Sequence, residues 1–470
     1  VRLRTHLILF LAVFAFEANR VVGTFGNSAP AISDLLEVHN IAWNLANGRG
    51  YQFDWDDPQW RRSLHTWTPQ EDLGFILARR SSHPTMFRPP LTPLIVAGLI
   101  RLFPQHSFAA WRTFDCAAFG AAACLLCDIA FASGGLFGLA TMLALLLFDP
   151  LLRIFVPGCW TEGLAFDLVT VLIWLLASPH RLPGKWNHLL FGVSLGLLCL
   201  DRAVFLLSVP PLGLLWAVAA AKPPARFRMA AFAMATCLMV QLPWWVRNVS
   251  ISSRFLPLGT QGGFNLPDEY GDVALTHGSW TGKGMALAWT PLSVKDSDIC
   301  PPAGFTDTSF ESLCPGDRRT QNLFAATFCT SIESEIAVND CGTRAARRWI
   351  RSNYREIPRL MLLKLKTLPA FFHPLVITSG VLALVGFIAL AESRRLLTYA
   401  ALVAACYAFA VSLTHVVLAR FLVPLLPMIF LADAAGVAGI ARLMAKAVRS
   451  VHRGKLAGRA DSDATGTALP

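Results

Sequence analysis

Ten stretches of this chain are apolar over lengths that approach or reach a bilayer crossing: 7–24, 108–131, 133–149, 163–178, 188–201, 203–221, 229–246, 373–391, 396–416 and 421–441. A helix needs about 20 apolar residues to cross the hydrocarbon core, with roughly 17 as a lower limit. Blocks 133–149 and 188–201 are very short for spans, and a further block, 90–103, is short enough to be doubtful as one. Only 15% of the residues are charged and 54% are hydrophobic. A soluble domain would carry about 25% charge, so an ordinary soluble enzyme, a disordered chain and a disulfide knot are excluded. The blocks predict an all-α polytopic membrane protein.

Positive charge sets orientation. Arg2 and Arg4 precede the first block; Arg181 and Lys185 follow the fourth; Lys222, Arg226 and Arg228 follow the sixth; Arg394 and Arg395 lie between the eighth and ninth. Arg442, Lys446, Arg449, Arg453, Lys455 and Arg459 fill the tail. All of these share the cytoplasmic side only if an even number of crossings separates them. Treating 90–103 as a span breaks that parity, and treating it as a helix in or near the outer membrane surface restores it. The expectation is ten spans with both ends inside, at the cost of placing Arg112 outside at the start of the second span. The first block reads as a signal anchor, since no A-x-A-like cleavage site follows it.

Segments 25–107, 247–372 and 150–162 are then extracytoplasmic, and the working surface faces the periplasm or cell exterior. The division is 1–246 as an N-terminal membrane module, 247–372 as a periplasmic loop region, 373–445 as C-terminal spans and 446–470 as a cytoplasmic basic tail, expected to be disordered from 450 onward. No internal repeat supports inverted-repeat transporter logic. The net charge of +11 lies largely in cytoplasmic connections and the tail, where it sets orientation and gives no support to nucleic acid as a partner.

Seven of the 11 cysteines, Cys116, Cys124, Cys127, Cys159, Cys199, Cys237 and Cys406, lie in or beside apolar blocks and read as small packing residues. Cys300, Cys314, Cys329 and Cys341 all fall in the second large loop. An even number in an oxidising compartment suggests disulfides, with three possible connectivities. Cys300–Cys314 and Cys329–Cys341 close the shortest local loops, each contributing about 3 kcal/mol by chain entropy. The spacings match no common zinc pattern.

Chemistry-bearing side chains recur at the outer ends of the blocks. Leu35, Val38, Ile41, Ala42 and Leu45 form a helical stripe, with Asp34, Glu37 and Asn44 off it and Gly48 as a stop. Asp34 is either an N-cap, the reading that helix physics favours, or a carboxylate held at the membrane surface as a general base. His83 opens a segment in which Pro84, Pro89, Pro90 and Pro93 stiffen the chain around Arg88, which is either a headgroup anchor or a phosphate clamp. Glu162 sits where the fourth span starts, as a cap or a functional carboxylate. Asp167 lies one turn deeper and Asp201-Arg202 reads as a local ion pair. Arg247-Asn248 ends the seventh span and precedes Gly262-Gly263-Phe264-Asn265. Arg420 is flanked by apolar residues, expensive without an anion or water, and is the foremost candidate for a phosphate contact.

In this order, these residues resemble the GT-C glycosyltransferase superfamily, and more nearly its bacterial branch related to protein O-mannosyltransferases and the lipid A aminoarabinose transferase. The resemblance is carried by the Asp34 helix running to Gly48-Arg49-Gly50-Tyr51, then Arg88-Pro89-Pro90-Leu91-Thr92-Pro93, Thr161-Glu162, Trp245-Val246-Arg247-Asn248 with Gly263-Phe264-Asn265-Leu266, and Arg420-Phe421 with Pro424 and Pro427. It implies a sugar taken from a polyprenyl-phosphate donor and attached to a glycan, lipid or protein acceptor on the outer side of the inner membrane. It implies that 33–48 and 90–103 are juxtamembrane helices, that Asp34 and Glu162 are the catalytic carboxylates, and that Arg420, Arg88 and Arg247 meet the lipid phosphate. Glu37, His83, Asn248 and Asn265 are the expected further substrate contacts. No metal and no cofactor are expected. Val38 and Thr92 stand where many relatives have an aromatic residue and a tyrosine, departures that bear on acceptor contacts. A flippase or transporter of lipid-linked glycans would need charges along a path through the spans, and an O-antigen ligase or polymerase would lack the early acidic helix.

Overall fold

The computed structural model describes residues 2–25, 33–67, 81–156, 158–179, 185–220, 225–271, 274–275, 331–367, 373–414 and 419–465. Every apolar block becomes helix. In chain order the elements are α1 (Arg2–Phe25), α2 (Ser33–Ala46), β1 (Gln52–Asp54), α3 (Pro58–Trp67), β2 (Ser82–Pro84), α4 (Leu91–Leu102), α5 (Ser107–Phe148), α6 (Pro150–Phe155), α7 (Thr161–Ala177) and α8 (Trp186–Asp201). They continue with α9 (Val209–Ala220), α10 (Arg226–Ser252), α11 (Gln261–Glu269), α12 (Ile332–Ser352), α13 (Ile357–Thr367), α14 (His373–Ala389), α15 (Arg394–Thr414) and α16 (Leu426–Thr465). Tightly wound 3-10 turns, Ala203–Ser208 and Ala419–Leu425, lead into α9 and α16. Prolines follow or occupy both turns; Pro210 and Pro211 suit the start of α9, where a missing N–H is harmless.

Among the described residues, five helical stretches are long and apolar enough to cross a membrane: Ser107–Phe148, Ala203–Ala220, Arg226–Ser252, Arg394–Thr414 and Arg420–His452. The 42-residue α5 is a hairpin: Gly135 has φ 59° and ψ −147°, a region only glycine tolerates. A Cβ on Gly120 would lie 3.2 Å from the Phe10 ring, while Phe148 meets Phe16 with ring centroids 6.4 Å apart. Residues 10 and 16 are about 9 Å apart along α1, whereas 120 and 148 would be about 42 Å apart on a straight helix. The chain therefore folds back at Gly135, as the separate blocks 108–131 and 133–149 predict. The 12-residue α4 extends about 18 Å, too short to cross ~30 Å of hydrocarbon.

Two cores organise the molecule. The larger joins α1, α5, α7, α8, α9, α15 and the start of α16 through residues such as Phe119, Phe166, Phe191, Phe205 and Val423. The second lies under the first loop, where Leu35, Leu36, Val38, Ile41 and Ala42 of α2 pack with Val96 and Ile100 of α4 and with Trp55, Trp60, Phe108 and Trp111. The antiparallel pair β1–β2, with Phe53 opposite His83, carries the chain between them. Helices α8 and α10 approach closely at Gly192, where a Cβ would stand 2.4 Å from the Ala233 carbonyl oxygen. Gly192 and Gly196 form the small-xxx-small pattern that lets apolar helices touch backbone to backbone, a signal the sequence reading passed over.

Three expectations need correction or placement. The tail is not irregular from residue 450: α16 runs on to Thr465. Cys300, Cys314 and Cys329 lie outside the described residues; Cys341 falls within α12, its side chain outside the description. No disulfide is present among the described residues, and the seven cysteines in or beside the apolar blocks are free, as packing residues should be.

Candidate functional site

Asp34 stands in the first turn of α2, and its carboxylate bridges two guanidinium groups. Arg88 donates from Nη2 to Oδ1 at 2.6 Å, and Arg420 donates from Nη1 to Oδ2 at 2.9 Å. The cap reading is thereby replaced: both oxygens are engaged by arginines 54 and 386 positions away. Burial alone would raise the pKa of Asp34, but Arg88 and Arg420 outweigh it and hold the carboxyl far below the usual carboxylate range.

Each arginine is itself fixed. Arg88 also donates from Nε to Glu37 Oε2 at 2.7 Å, and its backbone carbonyl accepts from the Tyr51 hydroxyl at 2.7 Å. The Arg88 side chain sits over the Phe87 ring. Burial works against its charge, but Asp34 and Glu37 more than offset that and keep it protonated. Arg420, in the 3-10 turn before α16, lies over Trp160 and Phe421 and places Nε 3.5 Å from Glu162 Oε1.

Glu162, in the first turn of α7, is 1% exposed. Its Oε1 meets Arg202 Nη1 at 2.6 Å and its Oε2 accepts from the Thr161 hydroxyl at 3.2 Å. Arg202 also stacks on Phe421, which lies between the two arginines. Thus six charged groups, Asp34, Glu37, Glu162, Arg88, Arg202 and Arg420, form one network drawn from α2, the turn before α4, α7, the end of α8 and the turn before α16.

Arg202 is the residue that sequence reasoning missed. It does not pair with its neighbour Asp201, whose Oδ1 accepts from the Thr92 hydroxyl at 2.7 Å. The backbone leaves the helix at Arg202 (φ −138°, ψ 105°), which turns the two side chains apart. Tyr407 is a second addition: it is buried on α15, stacks on Phe205, and its hydroxyl makes no hydrogen bond among the described residues. Nothing in the sequence marks it.

Four expected contacts lie elsewhere. Arg247 does not reach the network; it donates to the Thr85 and Tyr51 carbonyls at 2.9 and 2.6 Å and stacks on Tyr51 and Trp244, clamping the first loop to α10. Asn248 is buried, with Nδ2 3.2 Å from the Leu256 carbonyl. His83 is buried beside Phe53, with Nε2 3.6 Å from Glu335 Oε2. Asn265 is half-buried on α11. Among the described residues, no hydrogen bond or ion pair ties His83, Asn248 or Asn265 to the network. Each serves, or sits beside, the join between loops.

That join centres on Glu335 of α12, which is 3% exposed. It accepts from the Thr85 hydroxyl at 2.7 Å, the Met86 N–H at 2.9 Å and the Thr260 hydroxyl. Gly263 N–H donates to Asn339 Oδ1 at 3.1 Å beside it. Arg112, Asp115, Asp167 and Asp201 are also buried, so buried charged side chains are not confined to the six of the network. Arg112 is 1% exposed. Among the described residues, no group of three or more His, Cys, Asp or Glu side chains is gathered as for a metal ion.

An anion-recognising, proton-accepting site is what this arrangement can chemically provide. Guanidinium forks suit phosphate oxygens, and a partly exposed carboxylate stands between them. No family model matches the chain, and searches of characterised proteins and of solved structures found no similar protein.

Proposed function

We propose that this protein is a membrane glycosyltransferase that moves a sugar from a polyprenyl-phosphate donor to a glycan, lipid or protein acceptor at the outer face of the inner membrane. The observation that carries this reading is the bridging of Asp34 by Arg88 and Arg420. It joins a candidate base to two candidate phosphate ligands at the ends of apolar helices, where a lipid phosphate would lie. The GT-C resemblance supplies the reaction class, and the ten-span topology expected from the charge pattern, with both ends inside, supplies the side.

In this mechanism Arg88 and Arg420 hold the donor phosphate. The acceptor oxygen attacks the anomeric carbon, the bond from that carbon to the phosphate oxygen breaks, and the electron pair leaves with the phosphate. Asp34 takes the acceptor proton, and the arginines stabilise the charge on the leaving group. Inversion follows from the single displacement. Glu162 is too buried to meet an acceptor; it positions Arg202 and Arg420. The Cys300–Cys314 and Cys329–Cys341 disulfides of the outer loop belong to the same proposal.

The test is a sided assay. The protein, reconstituted in vesicles, is given radiolabelled polyprenyl-phosphate sugar and membrane acceptors. Labelled acceptor supports the transferase. Movement of donor between leaflets with no labelled acceptor overturns it in favour of a flippase.

A further inference from the structure

Among the described residues, the six groups of the network balance in charge. Asp34, Glu37 and Glu162 stand against Arg88, Arg202 and Arg420, three charges against three. A phosphate entering this network therefore meets arginines that are already paired, and a second buried anion beside Asp34 would be strongly disfavoured. Something must leave as it arrives.

The three carboxylates are not equally held. The side chain of Glu37 and that of Glu162 are each 1% exposed, while that of Asp34 is 30% exposed. Asp34 gives one oxygen to each of two arginines, the same bridging that two oxygens of a phosphate would make. The arginines keep their places without it. Arg88 retains Glu37, and Arg420 retains Glu162, Trp160 and Phe421. Held as it is, Asp34 is also a poor proton acceptor, because its lone pairs are committed to guanidinium N–H groups.

We propose that the donor phosphate takes the place of Asp34 between Arg88 and Arg420, and that Asp34 becomes a working base only when so displaced. The inference rests on the donor reading above and deepens it. It makes binding ordered, donor before acceptor, and protects the site from idle proton transfer. It also selects the donor's charge. A phosphodiester brings one negative charge for the one displaced, whereas a diphosphate leaves at least one uncompensated. When the sugar departs, the phosphate gains the second negative charge and Asp34 loses its own by taking the acceptor proton, so the summed charge of phosphate and Asp34 is unchanged through the step.

The test is binding, independent of transfer. Full-length protein in detergent is titrated calorimetrically with farnesyl phosphate (as its methyl ester, a phosphodiester), inorganic phosphate and farnesol. Asp34→Asn, which removes the competing charge, binds farnesyl phosphate roughly tenfold or more tightly than wild type, the scale of one charge-assisted hydrogen bond released. Farnesol affinity is unchanged. Equal or weaker farnesyl phosphate binding in the variant overturns the exchange, as does an equal gain for farnesol. Should the variant misfold, carbodiimide labelling of Asp34 in wild type decides: saturating farnesyl phosphate accelerates it, and an unchanged rate overturns the proposal. Tighter phosphate binding in a protein whose wild type transfers no sugar keeps the exchange and sinks the sugar-donor reading. Inorganic phosphate that binds as well as farnesyl phosphate does the same for the lipid.

Discussion

Arg202 and Glu162 are 40 positions apart in the chain, yet their side chains meet at 2.6 Å with almost no access to water. Removing one partner from such a pair leaves an uncompensated buried charge and costs about 3–5 kcal/mol, while removing both can be close to neutral. Arg202→Met should therefore lower the melting temperature sharply, and the double substitution Arg202→Met with Glu162→Leu should recover most of the loss. His39 makes a second residue-scale prediction. Its Nδ1 accepts from the Trp60 indole N–H at 3.2 Å, so Nε2 carries the proton toward Ser107, and the ring stacks on Phe108. Burial pushes its pKa down to about 3. A depressed histidine contributes stability that is complete above its unfolded pKa of about 6.5 and is lost as pH falls toward the folded value, at about 1.4 kcal/mol per unit. Melting measured at pH 7.5 and pH 5 should show this loss in wild type and much less of it in His39→Phe. The network charges Asp34, Arg88, Glu162 and Arg420 were legible because charged residues beside apolar blocks are costly without a partner. Arg202 was misread because adjacency in sequence suggested a pair that the backbone turn forbids. Glu335 was invisible because nothing local marks a carboxylate whose partners lie some 75 and 250 residues away.

At the scale of elements, the apolar blocks gave the helices well, including the hairpin that one continuous helical assignment of α5 hides. Glycine 135 marks the reversal, but from sequence alone Gly134-Gly135 is only a break between two apolar runs. Helix contacts were less legible, since the pattern at Gly192 and Gly196 is short and becomes meaningful only when α10 is seen against it. A side chain at Gly192 must push backbone, so Gly192→Val should destabilise by roughly 1–3 kcal/mol, the usual cost of overpacking. Gly98, whose added Cβ would meet nothing within 4 Å, gives the contrast. Gly98→Ala should be neutral or stabilising by up to ~1 kcal/mol. Thermal melts of both variants in one detergent check the pair.

At the scale of the whole molecule, the two large loops are joined, and Glu335 is the join. Its loss strands the Thr85 and Thr260 hydroxyls and the Met86 N–H in a buried place, each costing about 1–3 kcal/mol. Glu335→Ala should accordingly lower the melting temperature and speed proteolysis of the first loop, without touching the charge network directly. The all-helical membrane architecture was legible from block lengths, whereas the docking of loop on loop was not, because polar loop contacts have no period to read. The central claim is that Asp34, between Arg88 and Arg420, is the base of a sugar transfer from a lipid phosphate. Its most direct test is single-turnover transfer from radiolabelled polyprenyl-phosphate sugar by wild type and by Asp34→Asn, with the melting temperatures of the two compared. Transfer by wild type that falls by roughly 10²–10⁴-fold in the folded variant is the predicted result; equal transfer by the two, or none by wild type, contradicts it.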